Sequence, residues 1–159
     1  MSYIEVSGNV SDELKVLASD VATKVIDLMG FAESLEVAID FVDENEIQRL
    51  NKEFREIDRV TDVLSFPSFG LVAGEKLDVT SIEAQMSTSE NGFIHFGDMA
   101  ICLEQTERQA KEYGVTTEAE VKKLVIHSML HLMGYDHIED SDYEVMNKKE
   151  IELDGKIEI

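Results

Sequence analysis

Three of the four histidines in this chain lie within eleven residues, from His127 to His137. His127 and His131 are four residues apart, so they project from the same face if this segment is helical. Gly134 follows three residues later, and a glycine beyond a helix end accepts the left-handed conformation that turns the chain back. His137 on the returning segment can then meet the other two rings. Three converging imidazoles with an open fourth position are typical of a zinc site that also binds water.

The spacing H-x3-H-x2-G-x2-H is that of the metzincin zinc peptidases, and it predicts a zincin-like site. Those peptidases carry glutamate directly after the first histidine as general base, and Ser128 occupies that position here. The ligand spacing is therefore present and the peptidase base is absent. The alternative is that these are ordinary helix and turn histidines. A third histidine behind a glycine favours the metal site over that interpretation.

The composition predicts one globular domain spanning residues 1–159. Hydrophobic residues make up 43% of the chain, which suits one core and is too apolar for a disordered protein. No apolar run approaches transmembrane length, and Met1–Glu5 lacks the basic start of a signal peptide, so we expect a cytoplasmic protein. The single Cys102 lies in an apolar run, which predicts a buried, unreactive thiol in a reducing compartment.

The formal net charge of −20 argues against non-specific binding to nucleic acid, because neutralising phosphates takes clustered lysine and arginine. Arg49, Lys52 and Arg55 fan across one side of a predicted helix, with Arg59 close behind in the sequence. This basic area is too small for tight binding to bare nucleic acid, but it could hold one or two phosphates. Any nucleic-acid role is therefore expected to depend on this local patch or on a partner.

The spacing of apolar residues predicts an α+β fold, with helices packed on a small mixed β-sheet. Strands are predicted at 3–6, 35–42, 63–67 and 93–103, the last interrupted at 97–98. Helices are predicted at 11–29, 43–54, 103–113, 117–133 and from 141, with N-caps at Ser11, Asp43, Thr117 and Ser141. Pro67 should end its strand or place it at a sheet edge. Residues 68–90 lose the pattern and are predicted to be a loop or hairpin insertion.

Three motifs share their order and spacing with one known family. His127–His137 reads H-S-M-L-H-L-M-G-Y-D-H, Asn51–Arg55 is followed by Thr61–Pro67, and Gly97–Met99 reads G-D-M. Together they resemble the YbeY family of bacterial metal-dependent endoribonucleases, which usually has glycine where this chain has serine after the first histidine. The triple-histidine motif is the specific part of the resemblance.

The resemblance implies a single-strand-specific endoribonuclease that acts in maturation of small-subunit ribosomal RNA and in ribosome quality control. It implies one ion held by His127, His131 and His137, with zinc expected and nickel or another divalent metal as alternatives. It also implies a catalytic or substrate-binding role for Arg55, which would otherwise be interpreted as a solvated surface residue. The implied partners are ribosomal RNA and the small ribosomal subunit or assembly factors, with no membrane and no organic cofactor.

Neutral histidines leave a bound cation its full charge, which suits cleavage of a phosphodiester. Zinc can lower the pKa of a bound water and polarise a phosphoryl oxygen, and a fixed guanidinium can stabilise the developing charge. The general base is open: Asp62, Asp98 and Asp136 are candidates by proximity in the motifs. Asp136 could instead be a hydrogen-bond partner of a ligand histidine, and Asp62 and Asp98 could organise backbone at strand ends. His95 is expected to be structural.

Two other functions stay open beside the endoribonuclease. One is a ribosome-assembly factor whose metal is structural and whose cleavage activity is weak or absent. The other is a zinc peptidase of metzincin type, which is less favoured because the glutamate base is missing.

Overall fold

Four strands and six helices follow one another in the computed structural model, which describes residues 2–31 and 34–159. In chain order they are β1 (Tyr3–Gly8), α1 (Asp12–Leu28), β2 (Leu35–Val42), α2 (Glu44–Arg55), β3 (Val63–Pro67), α3 (Ile82–Met86), β4 (Ile94–Cys102), α4 (Leu103–Tyr113), α5 (Thr117–Leu132) and α6 (Asp140–Lys156). The predicted α+β class, with helices on a small mixed sheet, is confirmed. Among the described residues, no helix combines the length and the apolar character needed to cross a bilayer.

The sheet is mixed because its last strand runs against the others. Its order is β1-β2-β4-β3: β1 and β4 pair parallel with β2, whereas β3 pairs antiparallel with β4. Strand β3 is therefore at an edge, and Pro67 is its last residue, as predicted. The free edge of such a strand carries backbone N–H and C=O groups that are not paired within the sheet and can bind a ligand or another chain.

Strand β4 is continuous, which corrects the interruption predicted at 97–98. The register against β2 shifts between Glu36 and Val37, because β4 carries one extra residue, Phe96, at that point. The prediction relied on the local preference of glycine and aspartate, which disfavour strands. It was wrong because β4 pairs with β2 on one side and β3 on the other, and this pairing overrides the local preference.

Gly97 lets helix α5 approach the sheet closely. A Cβ at this position would lie 2.7 Å from a methyl carbon of Leu132 and 3.0 Å from the carbonyl oxygen of Phe66. Both distances are shorter than van der Waals contact, so a side chain here would force the Leu132 side chain and the backbone at Phe66 to shift. The glycine therefore leaves room for Leu132 of α5, the helix that carries two of the histidines, to pack directly on the sheet.

Helix α5 is enclosed by several elements, which fixes the position of its residues. It packs against α1, α4, α6 and β3. Its apolar side places Val125, Met129 and Leu132 in the main core, where they are fully buried. Burial of side chains of this size contributes about 1.5–3 kcal/mol each. A shift of α5 would expose these side chains and lose much of that free energy, so the position of the helix is strongly fixed.

A smaller apolar cluster lies on the opposite face of the sheet, beneath α2. Ile47 of α2 packs there against Leu64, Ala100 and Cys102. Neighbouring β4 residues point to opposite faces, so Met99 and Ile101 belong to the main core instead. The prediction of a buried cysteine is confirmed, and burial raises the pKa of the Cys102 thiol, which disfavours the reactive thiolate.

Local capping chemistry sets most helix starts. The Ser11 hydroxyl and the Asp43 carboxylate accept hydrogen bonds from backbone amides three residues later, as predicted. Helix α5 is capped by Thr116 rather than Thr117, because Thr116 is the extended residue whose Oγ1 lies 3.0 Å from the Ala119 nitrogen. Helix α6 begins at Asp140, one residue before the predicted cap, and its described N-terminus has no side-chain cap.

The segment 68–90 contains more structure than predicted. Helix α3 forms within it, with the Ser81 hydroxyl accepting from the Ala84 amide at 3.1 Å. Phe69 and Ala84 are buried against the main core. An isolated antiparallel bridge between Thr88 and Ile94 gives the end of the segment a hairpin-like return. The insertion is thus anchored at several points along its length.

Candidate metal centre

Helix α5 and the turn after it bring the three histidines together. His127 and His131 lie one turn apart on α5, and both side chains are half-buried. Gly134 adopts a left-handed φ of 98°, and the chain turns back into the segment that carries the exposed His137. This arrangement is the one that the spacing of the motif predicted.

The ring nitrogens of this cluster are spaced for a single cation. The Nε2 atoms of His127 and His131 are 3.1 Å apart, and one ligand atom from each of the three rings lies within 4.8 Å of the others. Two nitrogens bound to one tetrahedral zinc at about 2.0–2.1 Å would be about 3.3–3.4 Å apart. The α5 pair already meets that geometry. The remaining spacings are at most 4.8 Å, and the exposed position of His137 leaves its ring room to approach the other two.

Hydrogen bonds to the far side of two rings orient their Nε2 atoms. The Nδ1 of His131 lies 2.9 Å from the Tyr135 carbonyl oxygen, which can only accept, so Nδ1 carries the proton. The Nδ1 of His127 lies 2.6 Å from Oε1 of Glu150 on α6. Such partners fix the tautomer of a ligand histidine. Sequence reasoning missed Glu150, and it proposed Asp136 for this role, whereas Asp136 accepts instead from the Ile138 amide at 3.3 Å.

His131 is held in the neutral form. Burial, followed by the neighbouring charge of His127, lowers the pKa of His131 to about 4. The ring therefore offers a lone pair to a cation throughout the neutral pH range. A histidine that must lose a proton before it binds a metal weakens metal binding as the pH falls. His131 would impose such a loss only near its own low pKa.

Replacing Gly134 with alanine is expected to destabilise the protein by at least about 2 kcal/mol. The left-handed φ disfavours a side chain, and a Cβ would lie 2.3 Å from the Leu71 carbonyl oxygen. Urea unfolding of the metal-free protein measures the change. Gly155→Ala is the matched control, because Gly155 lies in α6 with nothing within 4 Å of the added methyl group. Equal stabilities of the two variants would contradict this account of the turn.

A cavity of about 670 Å³ opens over the histidines. It lies between α5, the end of α2, strand β3 and the turn that follows α5. Arg55, the last residue of α2, lines the cavity together with Lys123 of α5. Asp62 and Glu120 line it with opposite charge. The structure therefore places Arg55 and the three histidines around one cavity.

The other predicted basic residues differ from Arg55 in their contacts. Arg49 is held by Glu46 at 2.6 Å and Glu53 at 2.8 Å on the surface of α2, and Lys52 lies 3.9 Å from Asp58. Lys123, which the sequence analysis missed, was detectable in principle. It precedes His127 by four residues, which places it on the same face of the helix.

Of the three candidate bases, Asp62 and Asp136 line the cavity, whereas Asp98 lies outside it. Asp62 lies at the cavity, where Oδ1 accepts from the Val63 amide at 2.7 Å and Oδ2 accepts from Gln109 at 3.1 Å. It organises the start of β3, which is the backbone role that the sequence suggested. Asp98 is 2.9 Å from His95 and is absent from the cavity wall that the described residues form.

His95 contributes stability that should depend on pH. Its Nε2 and Nδ1 lie 2.9 Å from Asp98 and 3.2 Å from Glu36, respectively. Burial alone would lower the pKa of His95, but the hydrogen bonds and charges of Asp98 and then Glu36 raise it. A pKa raised by folding stabilises below the unfolded value of about 6.5, and the effect is lost as the pH rises through the folded value. The free-energy difference between wild type and His95→Gln should be larger at about pH 6 than at about pH 9. A difference that is independent of pH would contradict these ion pairs.

Ser128 faces the core instead of the cavity. It is fully buried, and its Oγ lies 2.7 Å from the Oγ of Ser65 on β3. A glutamate at this position would bring a carboxylate into that buried contact, which costs several kcal/mol unless it is paired. The position that holds the glutamate base in zinc peptidases is therefore occupied in this chain by a buried serine that contacts Ser65.

The chain has an α+β fold, three histidines that can share one cation, and an open cavity that an arginine lines. These features together are typical of a metal-dependent hydrolase. The family model described as Endoribonuclease YbeY matches residues 3–158, and the chain belongs to that family. It is 39% identical over 150 residues to Endoribonuclease YbeY from Clostridioides difficile, covering 94% of this chain and 90% of the relative. It is 38% identical to the protein of the same name from Clostridium acetobutylicum, covering 96% of this chain and 95% of the relative.

A solved structure has a similar fold. The solution structure of TM1509 from Thermotoga maritima matches with a TM-score of 0.59 and 28% identity, covering 97% of this chain and 87% of that one. The predicted family is confirmed, and with it the class of enzyme, a hydrolase named for its action on RNA.

Proposed function

We propose that this protein is a single-domain, single-strand-specific endoribonuclease. Its substrate would be small-subunit ribosomal RNA during maturation and ribosome quality control, and it would act in the cytoplasm, where that RNA is found. The single observation that carries the proposal is the cluster of His127, His131 and His137 beside a cavity that Arg55 lines.

The three histidines would hold one divalent cation, with zinc proposed and nickel, cobalt or iron accepted by the same donor set. Such an ion, when bound, supplies a Lewis acid that polarises a phosphoryl oxygen and lowers the pKa of water towards neutrality. The chain's part is to orient the rings: the Tyr135 carbonyl holds His131, and Glu150 holds His127. The low pKa of His131 supports the proposal, because that ring needs no deprotonation before it binds.

Arg55 would bind the phosphodiester and stabilise its charge in the transition state. A guanidinium presents several N–H donors in a fixed plane, which matches two phosphate oxygens at once. Lys123, which also lines the cavity, adds a point charge. Asp62 and Glu120 repel phosphate from their part of the cavity, so the strand would be held where the cations and the histidines lie.

The charge of the whole protein supports docking as the source of specificity. With a net charge of −20, and with Arg49 neutralised by two glutamates, Arg55 and Lys123 at the cavity suffice for one or two phosphates. We propose that the small ribosomal subunit or an assembly factor brings the RNA to the site. Binding of the isolated protein to naked RNA should then depend weakly on salt, and a steep dependence would contradict this proposal.

The test is cleavage of a defined ribosomal RNA precursor by purified protein, with its metal content measured by elemental analysis. Cleavage that requires one bound metal per chain supports the proposal. Full metal loading without cleavage would favour the second candidate, an assembly factor with a structural metal. The small number of basic residues among the described residues that line the cavity, Arg55 and Lys123, also favours it. Casein digestion by the same sample would favour a peptidase, against which the environment of Ser128 and the names of the relatives argue.

A further inference from the structure

Helix α6 carries one carboxylate on an otherwise apolar stripe. Met146, Leu153 and the following Ile157 are buried against the rest of the protein. Glu150 lies four residues after Met146 and three before Leu153, so it occupies the same stripe. The helical pattern would place an apolar residue there. Its side chain is 20% exposed, whereas Glu144 on the same helix is fully on the solvent side.

Packing alone does not account for a carboxylate at this position. Removing a carboxylate from water is unfavourable unless it is paired, and replacing a buried pair with apolar side chains is often neutral or stabilising. Docking of α6 is already secured by Met146 and Leu153, and by Lys122, whose Nζ lies 2.9 Å from the carbonyl oxygen and 3.1 Å from Oδ1 of Asp154. Glu150 therefore serves something other than the attachment of the helix.

The contact that Glu150 makes points to its use. Its Oε1 lies 2.6 Å from Nδ1 of His127, and the opposite nitrogen of that ring, Nε2, faces His131 across 3.1 Å. A carboxylate that accepts from Nδ1 holds the proton on that nitrogen and leaves the lone pair on Nε2. The same contact fixes the orientation of the ring, so that Nε2 stays aimed at the position that a cation shared with His131 would take.

We propose that Glu150 is a positioning residue for the metal centre, through which the C-terminal helix α6 takes part in metal binding. The inference rests on the proposed function only in requiring that the histidines bind a cation. It assigns a role to a residue outside the histidine motif, on the next helix of the chain. Removing the carboxylate should weaken metal binding while α6 stays docked.

The experiment is a zinc titration against a competing chelator, using the full-length metal-free protein and the metal alone as probe. Glu150→Met keeps the length of the side chain and completes the apolar stripe, and it is expected to bind zinc 10–100-fold more weakly. Glu150→Gln keeps an acceptor oxygen without the charge, and it should recover part of that loss. Glu144→Met, the same change on the exposed side of α6, should bind zinc within about twofold of wild type.

Urea unfolding of the metal-free variants separates positioning from folding. Glu150→Met leaves Nδ1 of His127 without its acceptor, which destabilises the metal-free protein. We therefore expect a variant that is somewhat less stable but unfolds in one cooperative transition with the wild-type m-value, as a docked α6 requires. Zinc affinity of Glu150→Met within about twofold of wild type would overturn the inference while leaving the proposed metal site intact. Wild-type protein that binds no zinc, nickel or cobalt would overturn the proposed function and this inference together.

Discussion

His131→Ala is expected to abolish tight zinc binding and to reduce cleavage of the RNA precursor by at least about a thousandfold. His131 is the most central of the three rings: its Nε2 lies 3.1 Å from that of His127, and its Nδ1 is held by the Tyr135 carbonyl. Two remaining histidines leave a cation with too few protein ligands to compete with water and buffer. The loss of charge stabilisation at the phosphate would then amount to several kcal/mol.

The measurement is metal content and cleavage rate on the same preparation, with urea unfolding to verify that the metal-free variant is folded. His95→Ala is the matched control, since it removes the one histidine that lies outside the motif, held between Glu36 and Asp98. The control should retain one zinc per chain. A folded His131→Ala variant that retains both metal and activity would refute the assignment of this residue.

Arg55→Ala is expected to lower kcat/KM for RNA cleavage by about 10²–10³-fold with unchanged metal content. Arg55 lines the cavity with the histidines but is not one of the residues that could hold the metal, so its loss should affect the substrate and its transition state alone. Arg55→Lys should recover a minor part, because an ammonium cannot form the two parallel hydrogen bonds of a guanidinium to a phosphate.

Arg49→Ala is the control for charge, because it removes an arginine from the same helix. Arg49 is 61% exposed and paired with Glu46 and Glu53, and surface pairs of this kind contribute about 0–1 kcal/mol. Its activity should stay within about threefold of wild type. Full activity of Arg55→Ala, or equal losses in both variants, would favour a scaffold whose metal is structural over a catalytic arginine.

Local sequence patterns were sufficient for the elements that carry the site. Strand β2 was predicted at its observed bounds from its content of valine, isoleucine and phenylalanine. The structure agrees with that pattern, because the alternate residues Leu35, Val37 and Ile39 are fully buried. The convergence of the histidines follows from two local facts, the helical spacing of His127 and His131 and the left-handed turn at Gly134. Both are set by neighbours in sequence, so no knowledge of the tertiary structure was needed.

Features that depend on distant parts of the chain were missed or misassigned. Glu150 is 23 residues from its partner His127, and nothing local marks it except its place on the apolar stripe of α6. The continuity of β4 depends on pairing with β2 and β3, which overrides the local effect of Gly97. The ion pairs of Arg49 with two glutamates one turn away could have been predicted from their helical spacing. The place of Arg55 at the cavity could not, because it depends on how α2 packs against the rest of the protein.

The most direct test of the metal centre is X-ray absorption at the zinc edge of the loaded wild-type protein. The account predicts three imidazole nitrogens at about 2.0–2.1 Å and one further light atom that an added anion can replace. A fourth protein ligand, a sulfur in the first coordination sphere, or fewer than three imidazoles would contradict it.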